Sequence, residues 1–199
     1  MTIIQNSTIT IDGCSINILQ SKVPATTSLV FLHGKAFQAA TWQELGTLDA
    51  VSTAGIPFVA LDLPGFGKSP EAEIIPGKVI NGILESLDIK KAILVGPSMG
   101  GKHAIEYTLE NQDKVAGLVL VGSVGVTENR ERLQDLPAKT LILWGENDQI
   151  SDPANGVLLK SEIAGSELVV FAGANHPCYL EQPELWHKSL VDFVKTVTG

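Results

Sequence analysis

Six apolar runs set the terms on which this chain can fold: Leu29–Leu32, Pro57–Leu61, Ala92–Val95, Leu118–Val121, Leu141–Trp144 and Leu168–Phe171. A strand with one wet face alternates apolar and polar residues, whereas an unbroken apolar run must be covered on both sides. Helical stretches separate the runs. Thr41-Trp42-Gln43-Glu44 reads as a capping box opening a helix to about Thr53. Pro76 fits the first turn of a helix ending near Leu87, and another helix follows Ser98 to about Asn111. Pro153 and Pro183 mark the starts of the last two. Strand and helix alternating in this way predict an α/β fold: a doubly wound, mostly parallel sheet with helices on both faces.

The opening segment has a different style. Ser7-Thr8-Ile9-Thr10-Ile11 and Ser15-Ile16-Asn17-Ile18-Leu19 alternate around Asp12-Gly13, a pair suited to the positive backbone angles of a tight turn. An N-terminal antiparallel hairpin is expected there. With 199 residues and no repeat, linker or low-complexity tract, the chain reads as a single domain over 1–199. Between the strands ending near Gly122 and starting near Thr140 lies only a short polar stretch, Glu128 to Arg132, followed by Leu133 to Pro137. A cap domain inserted there would need several tens of residues, so an open mouth covered by loops at most is expected.

Gly96-Pro97-Ser98-Met99-Gly100 follows an apolar run and precedes a helical stretch. Glycine-x-serine-x-glycine in strand–turn–helix context lifts the hydroxyl clear of the sheet and aims it at a helix N-terminus. Small residues two before and two after the serine relieve the crowding of so sharp a turn. A serine hydroxyl needs a base to remove its proton, and the base needs an orienting acid. Asp148, in the loop after Leu141–Trp144, is the expected acid, with Glu146 and Asp152 as competitors. His176, after the last apolar run and before Pro177, is the expected base. The order Ser98, Asp148, His176 is the one this architecture uses. Asp62 reads instead as a turn carboxylate capping backbone amides, His33 as a loop brace, and His103 and His187 as structural or solvated.

The oxyanion hole is expected to use the Met99 amide and a second from the loop after Leu29–Leu32, with Lys35 first and Ala36 next. Phe37, Val124 and Tyr179 are the expected substrate-binding residues, with Lys35, Met99 and Val126 as further lining candidates; Trp144 and Cys178 read as core.

The net charge of −8 argues against nonspecific nucleic-acid binding. No apolar stretch is long enough for a membrane span, and the first residues do not resemble a secretory signal. Cys14 and Cys178 have no metal-like spacing and read as thiols of a reducing, cytoplasmic compartment. No metal or cofactor is expected. A small acyl ester or thioester is the expected partner; the sequence is compatible with a monomer or a dimer.

These residues resemble the α/β-hydrolase superfamily and, more narrowly, its alpha/beta-hydrolase-domain 14 group, also known as the CCG1-interacting factor B group. The resemblance is carried by His33-Gly34 with Phe37 and Thr41-Trp42-Gln43, by Leu45-Gly46-Thr47-Leu48, by Asp62-Leu63-Pro64-Gly65 and by Pro97-Ser98. Its most specific block is Gly173-Ala174-Asn175-His176-Pro177-Cys178-Tyr179-Leu180, with Pro183-Glu184 and Trp186-His187. The resemblance implies a cap-less serine hydrolase acting on small acyl esters, its triad falling on Ser98, Asp148 and His176. It also implies acyl transfer from acetylated lysine to coenzyme A. Met99-Gly100-Gly101 is more like ordinary bacterial or archaeal esterases than the animal members. Two other readings compete: a perhydrolase, and a non-enzymatic hydrolase-like interaction module.

Overall fold

The computed structural model describes residues 4–22, 25–137 and 139–199. The chain opens with the hairpin of β1 (Gln5–Ile11) and β2 (Cys14–Gln20), in which Ile11 faces Cys14 across a two-residue turn. Asp12 and Gly13 hold φ of +47° and +81°, the paired positive angles that keep the turn in step with strand twist. Next come β3 (Thr27–Phe31), α1 (Ala39–Glu44), α2 (Thr47–Thr53), β4 (Phe58–Leu61), α3 (Pro76–Ser86), β5 (Lys91–Pro97) and α4 (Met99–Glu110). The rest are β6 (Val115–Val121), β7 (Thr140–Gly145), α5 (Ala154–Glu162), β8 (Glu167–Phe171), α6 (Cys178–Glu181) and α7 (Pro183–Thr198). The eight strands form one sheet in the order β1-β2-β4-β3-β5-β6-β7-β8. The pairs β1–β2 and β2–β4 are antiparallel; all later pairs are parallel.

Alternate side chains of the central strands serve two separate cores, as the pleat requires. Val30, Leu94, Leu120 and Ile142 pack with Ile80 and Ile83 of α3 and Ile105 of α4. Phe31, Val95, Val119 and Leu143 pack on the other side with Trp42 of α1, Val51 of α2 and Trp186 and Leu190 of α7. The apolar runs are thus explained: both faces are covered. The outermost strand, β8, departs from that expectation. It is an edge strand, and Val170 is 52 % exposed on it.

A second correction concerns the helix expected from Thr41 to Thr53. It is two helices, because Gly46 takes φ +81° as the N-cap of α2. Thr41 is not the N-cap; Gln38 is, and Thr41 lies three residues on in α1, where its hydroxyl accepts the Gln38 N–H at 3.3 Å as the second half of a capping box. The link from β6 to β7 holds, among its described residues, only the 3₁₀ segment Thr127–Asp135 and no inserted cap. No helix among the described residues is long and apolar enough to cross a membrane.

Candidate active site

β3 leads by way of α1 and α2 to β4 on one side of the sheet, while β5 starts the second half on the other. The crevice between the ends of β3 and β5 is therefore the topological switch point, where open α/β sheets bind ligands. Ser98 sits there, directly after β5, with φ +49° and ψ −116°. A non-glycine residue so placed costs about 1–3 kcal/mol and persists only where its surroundings fix it. The Ser98 amide donates to Val121 O at 2.9 Å, and its carbonyl accepts from Gly101, Lys102 and Val124. Close packing does the remainder. A Cβ on Gly96 would lie 2.5 Å from Gly100 O, and one on Gly100 would lie 2.8 Å from His33 O. The small residues flanking the serine are demanded by backbone meeting backbone.

Asp148 follows β7 with a fully buried side chain. Its Oδ1 accepts the amides of Ile150 and Ser151 at 2.8 and 2.9 Å, and its Oδ2 lies 2.8 Å from His176 Nδ1. The competing acids are occupied elsewhere: Glu146 accepts the Gly173 amide, and Asp152 accepts the Ala154 amide at the start of α5. Beneath the pair lies Gly122, where a Cβ would come 3.0 Å from Asp148 Oδ2 and 3.2 Å from His176 Nδ1. The two loops are laced together. Asn147 N–H donates to Ala174 O at 2.8 Å, and its side chain donates to Gly173 O at 3.1 Å. Asn175 donates from its amide and its side chain to the Glu181 carboxylate.

Sequence reasoning missed Ser151. Its hydroxyl donates to Ser123 O at 2.8 Å, its carbonyl accepts from Trp144 Nε1 at 2.9 Å, and its amide holds Asp148. Val124, two residues past Gly122, donates to Ser98 O at 3.2 Å. The segment after β6 thus ties the serine turn to the acid loop. A Ser three residues after an acid carries no sequence signal for this, since its acceptor belongs to the loop after β6.

The crevice, a small cleft of about 10 Å³, is lined by Phe37, Pro97, Ser98, Val121, His176 and Tyr179, together with Gly34 and Pro177. Phe37 and Tyr179 are thus at the site. Val124 contributes an amide to the serine turn and is not part of the crevice wall; Val126 is buried in the core on the α3–α4 side. Among the described residues, neither the Lys35 nor the Met99 amide donates to a protein acceptor, and Phe37 N–H closes a turn onto Gly34 O over Lys35 and Ala36.

Nearby polar groups have structural partners. Asp62 accepts from the amides of Ala39 and Lys68 and from Asn17 Nδ2. His33 Nδ1 lies 2.9 Å from Gly34 O, while its Nε2 accepts the Leu63 amide, which fixes the neutral tautomer; burial lowers its pKa. His187 Nε2 contacts Thr47 Oγ1 at 3.0 Å. Burial pushes the Cys178 thiol up to about 12, leaving it protonated and inert beside the histidine. Both cysteines are free and buried. Among the described residues, no three His, Cys, Asp or Glu side chains converge as metal ligands. A larger space of about 690 Å³ between α3 and α4 contains His103, whose Nδ1 is 3.6 Å from Glu106, but no serine or cysteine lines it.

Residues 27–138 match the family described as the alpha/beta hydrolase fold. A relative from Rattus norvegicus, named "Putative protein-lysine deacylase ABHD14B", is 32 % identical, with 84 % of this chain and 83 % of the relative aligned. Protein ABHD14A of the same organism is 36 % identical, with 83 % of this chain and 71 % of the relative aligned. The chain belongs to the α/β-hydrolase family, within its ABHD14 group. Among solved structures, a "predicted CIB-like hydrolase" from Thermoplasma acidophilum superposes with a TM-score of 0.93 at 27 % identity, covering 98 % of this chain and all (100 %) of the other. The esterase RhEst1 from Rhodococcus sp. ECU1013 shares the fold, with a TM-score of 0.81 at 21 % identity over 99 % of this chain and 100 % of the other.

Proposed function

We propose that the protein is a serine hydrolase of the carboxylesterase type that cleaves small acyl esters through an acyl-enzyme on Ser98. The observation that carries this reading is the 2.8 Å contact between His176 Nδ1 and the buried Asp148, on a histidine that shares a crevice with the strained Ser98 turn. With Nδ1 engaged, the Nε2 lone pair of His176 is the base. It takes the Ser98 proton as Oγ attacks the ester carbonyl, and Asp148 stabilises the imidazolium. The amides of Met99 and Lys35, free of protein acceptors, would hold the oxyanion. His176 then protonates the leaving alcohol, and water repeats the sequence to release the acid. Phe37 and Tyr179 bound the acyl group, and Val124 supports the serine turn from behind.

Ser98→Ala tests the reading. On short p-nitrophenyl esters it should lower kcat on the order of 10⁶-fold, the loss typical of a missing nucleophile. Its thermal unfolding should resemble that of wild type. Retained turnover in this variant would reject Ser98. The name of the rat relative supports a second reading, with acyl-lysine as donor; the acceptor would then be water or a thiol such as coenzyme A. Acetyl-lysine peptides, with and without the thiol, distinguish it in the same assay.

A further inference from the structure

Tyr179 is an unusual wall residue. Its ring lies 5.2 Å from Trp42, 6.0 Å from Trp186 and 6.3 Å from Phe37, centroid to centroid, and the residue is only 2 % exposed. Among the described residues its hydroxyl has no hydrogen-bond partner. Nor is it sealed, for the fully enclosed side-chain atoms without partners are the Ser52 and Ser166 hydroxyls. The Tyr179 hydroxyl therefore keeps a sliver of access, and the cavity this residue lines is the Ser98 crevice. A buried hydroxyl with no acceptor is unfavourable, and a ligand that supplies one gains by it. Burial holds the phenol above its usual range, so it stays protonated and remains a donor.

No other side chain of the wall pairs with this donor. Phe37, Pro97, Val121 and Pro177 are apolar, and Ser98 and His176 are committed to the reaction. The carbonyl oxygen of the substrate is served by the backbone amides of the proposed oxyanion hole. That leaves the acyl chain. The enclosed part of the crevice, about 10 Å³, has room for little more than one water-sized group, so only the end of a short acyl chain can be enclosed there.

We infer that Tyr179 sets acyl specificity: its hydroxyl donates to an oxygen carried on a short acyl chain, so alkoxyacyl, hydroxyacyl or oxoacyl groups are preferred to all-carbon isosteres. The inference rests on Ser98 being the nucleophile of an acyl-transfer reaction. Its chemistry is recognition alone; no bond is made or broken at Tyr179.

The test uses two esters of equal chain length, p-nitrophenyl methoxyacetate and p-nitrophenyl butanoate, in which one oxygen replaces one methylene. The ratio of their kcat/KM values is measured on wild type and on Tyr179→Phe, and each is divided by the ratio for alkaline hydrolysis, which removes intrinsic reactivity. Wild type should favour the methoxy ester by about 2- to 12-fold after this correction, the range of one neutral hydrogen bond. Tyr179→Phe keeps the ring and should bring the corrected ratio to one. A ratio unchanged by the substitution overturns the inference, as does an equal loss on both esters, which would place the hydroxyl at the reacting carbonyl. If wild type turns over neither ester and a fluorophosphonate fails to label Ser98, the hydrolase reading itself falls, and the inference with it. Labelling and turnover with an unaltered ratio would sink the inference alone.

Discussion

The two halves of the site are held in place by different balances of close packing and hydrogen bonding. The Ser98 turn is fixed by the absence of side chains: Gly96, Gly100 and the His33 backbone approach so closely that no Cβ fits between them. The acid–histidine half is fixed by what its side chains donate and accept, with Asp148 taking two amides and the ring, and Asn147, Asn175 and Ser151 lacing the loops. Packing of backbone on backbone tolerates almost no change in volume, while a hydrogen-bonded loop can lose one contact and keep its shape. The Ser98 half should therefore fail by misfolding and the other half, on the proposed mechanism, by losing chemistry.

Asp148→Asn gives the sharpest contrast. An amide nitrogen facing His176 Nδ1 would force the proton onto Nε2, removing the base while leaving the loop in place. The expected loss in kcat is about 10⁴-fold, with little change in melting temperature. A collapse in stability would break the contrast. Gly100→Ala should show the reverse. Its Cβ meets the His33 carbonyl at 2.8 Å and Leu32 Cβ at 3.0 Å, so equilibrium denaturation should report about 1–3 kcal/mol of lost stability together with reduced turnover. Normal stability would mean that the turn is less crowded than it looks.

The smallest effect concerns His33, which ties Gly34 O to the Leu63 amide as a neutral ring. Its folded pKa is lowered from 6.5 by burial, so below about that pH the unfolded chain binds a proton that the native state refuses. The stabilisation is complete above 6.5 and is lost as the pH falls toward the depressed folded value. Thermal melts from pH 7.5 to 5 should show falling stability, and His33→Gln should flatten the slope. An identical slope in the variant would remove His33 from the account.

Much of this was legible along the chain. The unbroken runs around Val30, Leu94, Val119 and Ile142 announced strands covered on both faces, and Gly96 to Gly100 announced the serine turn. Asp148 and His176 could be picked out because each follows an apolar run, and the structure brings them together at 2.8 Å. Burial that depends on position in the sheet was not legible. Leu168–Phe171 reads like its siblings, yet β8 lies at the edge, and order in the sheet is not order in the sequence. The break at Leu45-Gly46 was obscured because Thr41 and Glu44 have the spacing of a capping box, while the left-handed angle of Gly46 decided the matter.

The sequence alone determined the strand–helix alternation, the hairpin turn and the identity of the candidate nucleophile, because periodicity and turn chemistry act among neighbours a few residues apart. Tertiary structure alone decided that Asp148 rather than Glu146 or Asp152 meets the histidine, that Ser151 reaches Ser123 in the loop after the neighbouring strand, and that Tyr179 lines the same crevice as Ser98. Those contacts join side chains distant along the chain at ångström range, and such distances exist only once the sheet has set the strand order.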